Sequence, residues 1–162
     1  MRLHEIYEYL LPKTLKVNDI KFRHSAIFGP PDTGKTVFAL SLTRQIEKVM
    51  NYNSYPFLCV RAMCLDDVFQ YFHDEPLLNE LYLTIFIDDA ERYAPSIRSR
   101  SALSAVVIHD FIRHNLKKCG MKRGFVHIIY ATQRFKNLQA TLRNADLIFF
   151  KGINMNDAYE VK

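Results

Sequence analysis

The chain has 162 residues, 49% of them hydrophobic, and 22 Lys and Arg against 17 Asp and Glu give a formal net charge of +5. A chain near this size buries about 70% of its unfolded surface, enough for a single domain over residues 1–162 with no disulfide or metal staple. Cys59, Cys64 and Cys119 are odd in number and lack metal-ligand spacing, no apolar run approaches the ~20 residues of a membrane span, and acidic residues stand where a secretory leader has its apolar core; the expectation is a soluble cytoplasmic protein.

Residues 3–11 predict a short amphipathic helix stopped by Pro12, within an N-terminal extension over residues 1–18. Phe22 to Phe28 predicts the first core strand. It runs directly into Gly29-Pro-Pro-Asp-Thr-Gly34-Lys35-Thr36, and a helical pattern follows at once. That is a phosphate-binding loop in its required strand-to-helix context. The candidate contacts are Gly29, Pro30, Pro31, Asp32, Thr33, Gly34, Lys35 and Thr36. The glycines let the backbone curl so that successive N–H groups point at one anion, and the helix start adds its positive dipole end. Lys35 is expected to reach the β/γ-phosphates and the Thr36 hydroxyl to ligate Mg²⁺.

Thr36 to Met50 predicts a helix, with Phe38, Leu42, Ile46 and Val49 recurring at helical spacing. Tyr55 to Arg61, opened by Pro56, predicts a strand with Cys59 as a small core residue, and Leu65 to His73 a short helix. Leu81-Tyr-Leu-Thr-Ile-Phe-Ile87 is a continuous apolar run that stops at Asp88-Asp89, the pattern of a buried strand with carboxylates at its tip. Asp88 is expected to hold Mg²⁺ through water, and the acid after it to polarise the water that attacks the γ-phosphate. Arg98 to Lys118 predicts a long helix with apolar and basic faces. Phe125 to Ala131 predicts a strand that presents Gln133, whose amide both donates and accepts, to the γ-phosphate or its attacking water, and Leu147 to Phe150 a last short strand. Strands alternating with helices imply a parallel sheet with helices on both faces and a nucleotide at the carboxyl ends of the strands.

Ala131-Thr-Gln-Arg134 after an apolar strand resembles the sensor strand of the HerA/FtsK superfamily of DNA-pumping ATPases. The resemblance runs from about Phe22 to Asp157 and takes in the phosphate loop, Ile87-Asp-Asp-Ala-Glu-Arg92, the basic stretch Phe111-Ile-Arg-His-Asn-Leu-Lys-Lys118 and the tail Leu142-Arg-Asn-Ala-Asp-Leu-Ile-Phe-Phe-Lys151. The Asp-Asp ending and that tail look closest to genome-packaging ATPases of DNA viruses, including small forms in archaeal viruses. The implied fold is α/β, a RecA-like P-loop NTPase core. The implied function is ATP- and Mg²⁺-dependent translocation of double-stranded DNA into a capsid by a ring, a hexamer or pentamer, with a capsid or portal protein as a further partner. No lid segment is visible after the last predicted strand, which also favours a site completed by a neighbouring subunit.

Two departures from the family pattern bear on the site. Cellular FtsK and HerA proteins carry Glu after the strand-end Asp, whereas here that position is Asp89 and a Glu follows only at Glu91. The resemblance assigns water activation to Asp89, with Glu91 as the alternative. In relatives the segment before the sensor strand is a compact basic loop with paired arginines; here Arg113 matches the first, Lys117 and Lys118 stand near the second, and Gly120-Met-Lys-Arg-Gly124 reads as an insertion. Arg113 is the implied arginine finger, with Arg98, Arg100 and Arg143 as alternatives.

Basic residues crowd the second half of the chain: Arg98, Arg100, Arg113, Lys117, Lys118, Lys122, Arg123, Arg134, Lys136 and Arg143. Such a surplus suits a polyanion gripped by its phosphates, and sparse aromatic interleaving favours duplex over single-stranded DNA. Two other readings compete. Phe86-Ile-Asp-Asp-Ala90 also looks like the carboxylate strand of replication initiators and loaders, a class that adds a helical lid; a nucleotide-gated DNA-binding switch with little turnover is the third.

Overall fold

The computed structural model describes residues 3–63, 65–88, 105–133 and 145–152. Helix α1 (Leu3–Leu10) leads into β1 (Ile20–Phe28), α2 (Lys35–Tyr52), β2 (Phe57–Ala62), α3 (Leu65–Asp74), β3 (Glu80–Ile87), α4 (Ala105–Lys118), β4 (Arg123–Thr132) and β5 (Leu147–Phe150). The strands form one five-stranded sheet in the order β2-β3-β4-β1-β5. Every pairing is parallel.

The sheet is covered on both sides, which is why its central strands are apolar at successive rather than alternating positions. On one face Ala26, Phe28, Leu83, Ile85, Val126 and Ile128 pack with Val68 and Phe72 of α3 and Ile112 and Leu116 of α4. On the other, Ile27, Phe86, Ile129 and Ala131 pack with Ala39, Leu42, Ile46 and Met50 of α2 and with Ile6 and Leu10 of α1. Each such Ile, Leu or Phe contributes roughly 1.5–3 kcal/mol by leaving water. This is the expected α/β, RecA-like core. Among the described residues, no helix is long and apolar enough to cross a membrane.

Element ends moved by a residue or two where backbone pairing outruns side-chain pattern. β1 and β4 each start two residues earlier than apolar content predicts, because Ile20 pairs with Gly124 and Lys21 with Phe125. β2 starts at Phe57 rather than Tyr55. Tyr55 is still held by the end of α2, its N–H donating to the Met50 carbonyl at 2.9 Å. The helix expected from Arg98 is described from Ala105 onward, residues 98–104 lying outside the described set. The glycine-flanked 120–124 segment, which reads as an insertion, supplies the turn into β4. Its Gly124 has φ 123° and lies so close to β3 that a β-carbon would meet the Leu81 carbonyl oxygen at 2.1 Å.

A polar seam crosses the α2 side of the sheet. The Ser25 hydroxyl and His127 Nε2 are 2.7 Å apart, and both residues are fully buried. Thr84 lies directly opposite His127 on β3, and neither Thr84 Oγ1 nor His127 Nδ1 finds a partner among the described residues. Burial, reinforced by the nearby His24 and Arg23, pushes the His127 pKa down to about 3. The unfolded chain takes up this proton near pH 6.5 and the folded chain does not. Stability from a neutral His127 is therefore complete above about pH 6.5 and is lost as the pH falls from there toward about 3. Urea unfolding between about pH 6 and pH 4 is expected to show a slope for the wild type steeper than that of His127→Gln by about 1.4 kcal/mol per pH unit. Equal slopes would show that His127 is not the buried titrating group.

Candidate active site

Parallel strands put all their carboxyl ends on one edge, and the sequence places its chemistry there. β1 ends at Phe28, flanked in register by Thr132 of β4 and Phe150 of β5. The next residue, Gly29, donates its N–H to the Thr132 carbonyl at 3.3 Å, while Lys151 N–H donates to the Phe28 carbonyl at 2.7 Å. A β-carbon on Gly29 would meet the Lys151 carbonyl oxygen at 2.5 Å and Thr33 Oγ1 at 2.8 Å, so the loop leaves the sheet through a gap that admits only glycine. It then turns at Asp32 (φ 60°) and Gly34 (φ 77°), both left-handed, a conformation that glycine adopts freely and aspartate tolerates.

Gly34 is the N-cap of α2, and no side chain caps that helix. Its first-turn N–H groups are the donors that a phosphate accepts from most readily. Within the loop, Thr33 Oγ1 donates to the Pro30 carbonyl at 2.8 Å. Lys35 is buried, and its Nζ donates to the carbonyls of Gly29 at 2.8 Å and Pro30 at 2.7 Å. The lysine is thus satisfied by its own loop. A phosphate can draw it away because the exchange trades neutral acceptors for a charged one.

At the next residue of α2, Thr36 Oγ1 lies 3.2 Å from Asp88 Oδ2 and 3.4 Å from Oδ1. The structure thus brings together the two residues expected to hold Mg²⁺. A hydroxyl and a carboxylate are hard oxygen donors, and Mg²⁺ favours a site with one or two protein oxygens, the rest being water and phosphate. The donor set therefore fits the ion. No group of three or more His, Cys, Asp or Glu suited to a metal occurs among the described residues, a set that leaves out Asp89 and Glu91.

β4 lies between β1 and β3. Thr132 pairs with Phe28 on one side and Tyr130 with Ile87 on the other, so the half-buried Gln133 emerges between the phosphate loop and Asp88. Asp89, Glu91, Arg98, Arg100, Arg134, Lys136 and Arg143 lie outside the described residues.

The remaining basic candidates gather at the opposite, amino-terminal edge. Arg113 is ion-paired with Asp110 at 2.6 Å and Asp19 at 3.5 Å, and its guanidinium sits 5.2 Å from the Phe22 ring centre. Lys117 pairs with Asp19 at 2.9 Å, a hydrogen bond that holds the Asp19 carboxyl below its usual range, and Arg123 pairs with Glu80 at 2.7 Å. Arg113 is not brought to its own subunit's nucleotide edge. Two residues near that edge escaped the sequence reading: Arg61, ion-paired with Asp88, and Lys151, whose ammonium lies 5.4 Å from the Phe38 ring centre. Arg61 closes the apolar run of β2, but only the pairing of β2 with β3 reveals what it faces.

The two loop glycines are expected to fail differently. Gly34→Ala faces open space and costs about 1–2 kcal/mol for its left-handed backbone, whereas Gly29→Ala carries no such backbone penalty but must displace the Lys151 carbonyl. Thermal melts should show the larger drop in Tm for Gly29→Ala; the reverse order would contradict this packing of loop against β5.

The family model of the ATPase family associated with various cellular activities (AAA) matches residues 25–152. No curated protein matches the sequence. Among solved structures, the chain is similar to the genome packaging NTPase B204 from Sulfolobus turreted icosahedral virus 2 in complex with AMPPCP. That similarity has 14% identity and a TM-score of 0.48 over 90% of this chain and 82% of that one. The same protein in complex with ATP-gammaS gives 13% identity and a TM-score of 0.47 over 89% of this chain and 80% of that one. The family match runs from within β1 to just past β5 and so embraces the phosphate loop, the tip of β3 and the strand between them: the chain belongs to the AAA family of ATPases.

Proposed function

We propose that this AAA ATPase is a Mg²⁺-dependent motor of the HerA/FtsK type that translocates double-stranded DNA, in the manner of a viral genome-packaging ATPase, as a ring of single-domain subunits. The observation that carries the ATPase chemistry is the convergence of Lys35, the Thr36–Asp88 pair and Gln133 on one edge of the sheet. The order and spacing of the motifs from the phosphate loop to the 142–151 tail support the translocase reading.

In this reading the N–H groups of the loop and of the first turn of α2 cradle the phosphates, and Lys35 moves from its two loop carbonyls to the β/γ-oxygens. Thr36 and Asp88 would hold the metal, which would neutralise charge on the phosphates. Gln133 orients the attacking water with its amide, and Asp89 takes up the water's proton, with Glu91 as the alternative base. Phosphoryl transfer asks little covalent chemistry of the protein, so positioning and charge account for most of the rate. A neighbour's arginine completes the site. Arg113 is held by two carboxylates, so Arg98, Arg100 and Arg143 are tested beside it.

Lys35→Ala is expected to abolish ATP turnover with an unchanged circular dichroism spectrum. Asp89→Asn should bind Mg·ATP and hydrolyse it at least 100-fold more slowly, a loss typical of removing a general base, with Glu91→Gln milder. Normal turnover by folded Lys35→Ala would remove the loop from the site, and a reversed ranking of the acids would move the base to Glu91.

Duplex DNA is expected to stimulate hydrolysis without sequence preference, with affinity falling by a log–log salt slope of about 0.9 per phosphate contact. Lys117 and Arg123 carry exposed ion pairs, which are worth at most about 1 kcal/mol and yield readily to phosphates. Replacing Lys117, Lys118, Lys122 and Arg123 together by Ala should flatten the slope and leave nucleotide binding intact, because Arg123 opens β4 at the edge opposite the phosphate loop. Stimulation by a replication protein and none by DNA would favour the alternative, an initiator- or loader-type ATPase, for which the Phe86-to-Ala90 resemblance and the AAA match speak.

A further inference from the structure

Arg61 stands opposite Phe86 in the β2–β3 pairing. Its guanidinium lies 5.8 Å from the Phe86 ring centre and reaches Asp88, two residues further along the same side of β3, where Nη2 donates to Oδ2 at 2.5 Å. That oxygen is also the nearer one to Thr36 Oγ1. The two partners differ in exposure: the Asp88 side chain is 16% exposed at the strand tip, whereas Arg61 is 57% exposed and stands on the edge strand of the sheet.

We propose that Arg61 is a tethered counter-cation that competes with the divalent metal for Asp88, holding the carboxylate in place while the site is empty and swinging off it when Mg·nucleotide arrives. The inference rests on the reading of Thr36 and Asp88 as the metal-holding pair. Oδ2 accepts from Arg61 and Thr36 at once, so the competition is one of charge: the guanidinium neutralises the carboxylate and repels a dication brought to it. Metal binding must therefore repay the loss of the Arg61 contact, and the nucleotide's dependence on Mg²⁺ is weaker than the donor set alone would give. An ion pair with one partner more than half exposed is a modest opponent, so the competition amounts to about two- to five-fold in affinity. Arg61 acts through Asp88 and is a positioning residue.

The test is the affinity for fluorescent N-methylanthraniloyl-ATP in excess Mg²⁺ and in EDTA, the ratio of the two Kd values reporting how much the metal adds. Arg61→Gln, which removes the charge and keeps a hydrogen-bonding head, is expected to raise that ratio about two- to five-fold, while Arg61→Lys stays near the wild type. In an Asp88→Asn background, where the carboxylate is gone, Arg61→Gln should no longer change the ratio, since the two effects share one partner. An unchanged ratio in Arg61→Gln overturns the proposal. So does a lowered one, which would mean that Arg61 assists the phosphates. If the wild type binds no nucleotide, or Asp88→Asn alone leaves the ratio untouched, the site reading beneath the proposal fails instead, a distinguishable result.

Discussion

The constraint on which the structure depends is the insertion of β4 between β1 and β3 in parallel register. Phe28 pairs with Thr132 and Ile87 with Tyr130, so the three strands finish within a residue or two of one another. That common edge carries the phosphate loop, the tip of β4 and Asp88 side by side. None of these groups could be placed by local sequence alone, since the loop and the acid are separated by half a sheet and two helices. Their spacing is held by ladder hydrogen bonds buried between α2 on one face and α3 and α4 on the other, where unmade bonds cost more than made ones contribute. In the proposed mechanism this edge is where a water, a phosphate and a metal would be brought together.

A second constraint is charge. The edge holds the Asp88 carboxylate and the carbonyls of a loop that has curled inward, and both are paired with cations of the chain itself. Lys35 donates to the Gly29 and Pro30 carbonyls, and Arg61 pairs with Asp88. Ligand binding is then an exchange of partners within a preformed frame. At the other edge Asp19, Asp110 and Glu80 hold Arg113, Lys117 and Arg123 in ion pairs.

Much of this was legible in the residues. The buried strands announce themselves as continuous apolar runs because both faces are covered, and the phosphate loop is recognisable because its glycines answer to backbone needs that the structure confirms at Gly29 and Gly34. The approach of Thr36 to Asp88 followed from one sitting at a helix start and the other at a strand tip. What stayed hidden depends on strand order. Arg61 looked like the end of an apolar strand until β2 was paired with β3, and His127 looked like one residue among seven in a core strand until Ser25 came alongside it on β1. Arg113 was assigned by likeness to a family pattern; its pairing with Asp19 involves a residue far away in sequence, at the start of β1.

A structure with Mg²⁺ and the non-hydrolysable analogue AMPPCP bound tests the central claim most directly. The account predicts Lys35 Nζ moved from the carbonyls of Gly29 and Pro30 onto phosphate oxygens, the metal held by Thr36 and Asp88, and the phosphates against the first turn of α2. A nucleotide bound elsewhere on the sheet, with Lys35 still held by its own loop, would contradict it.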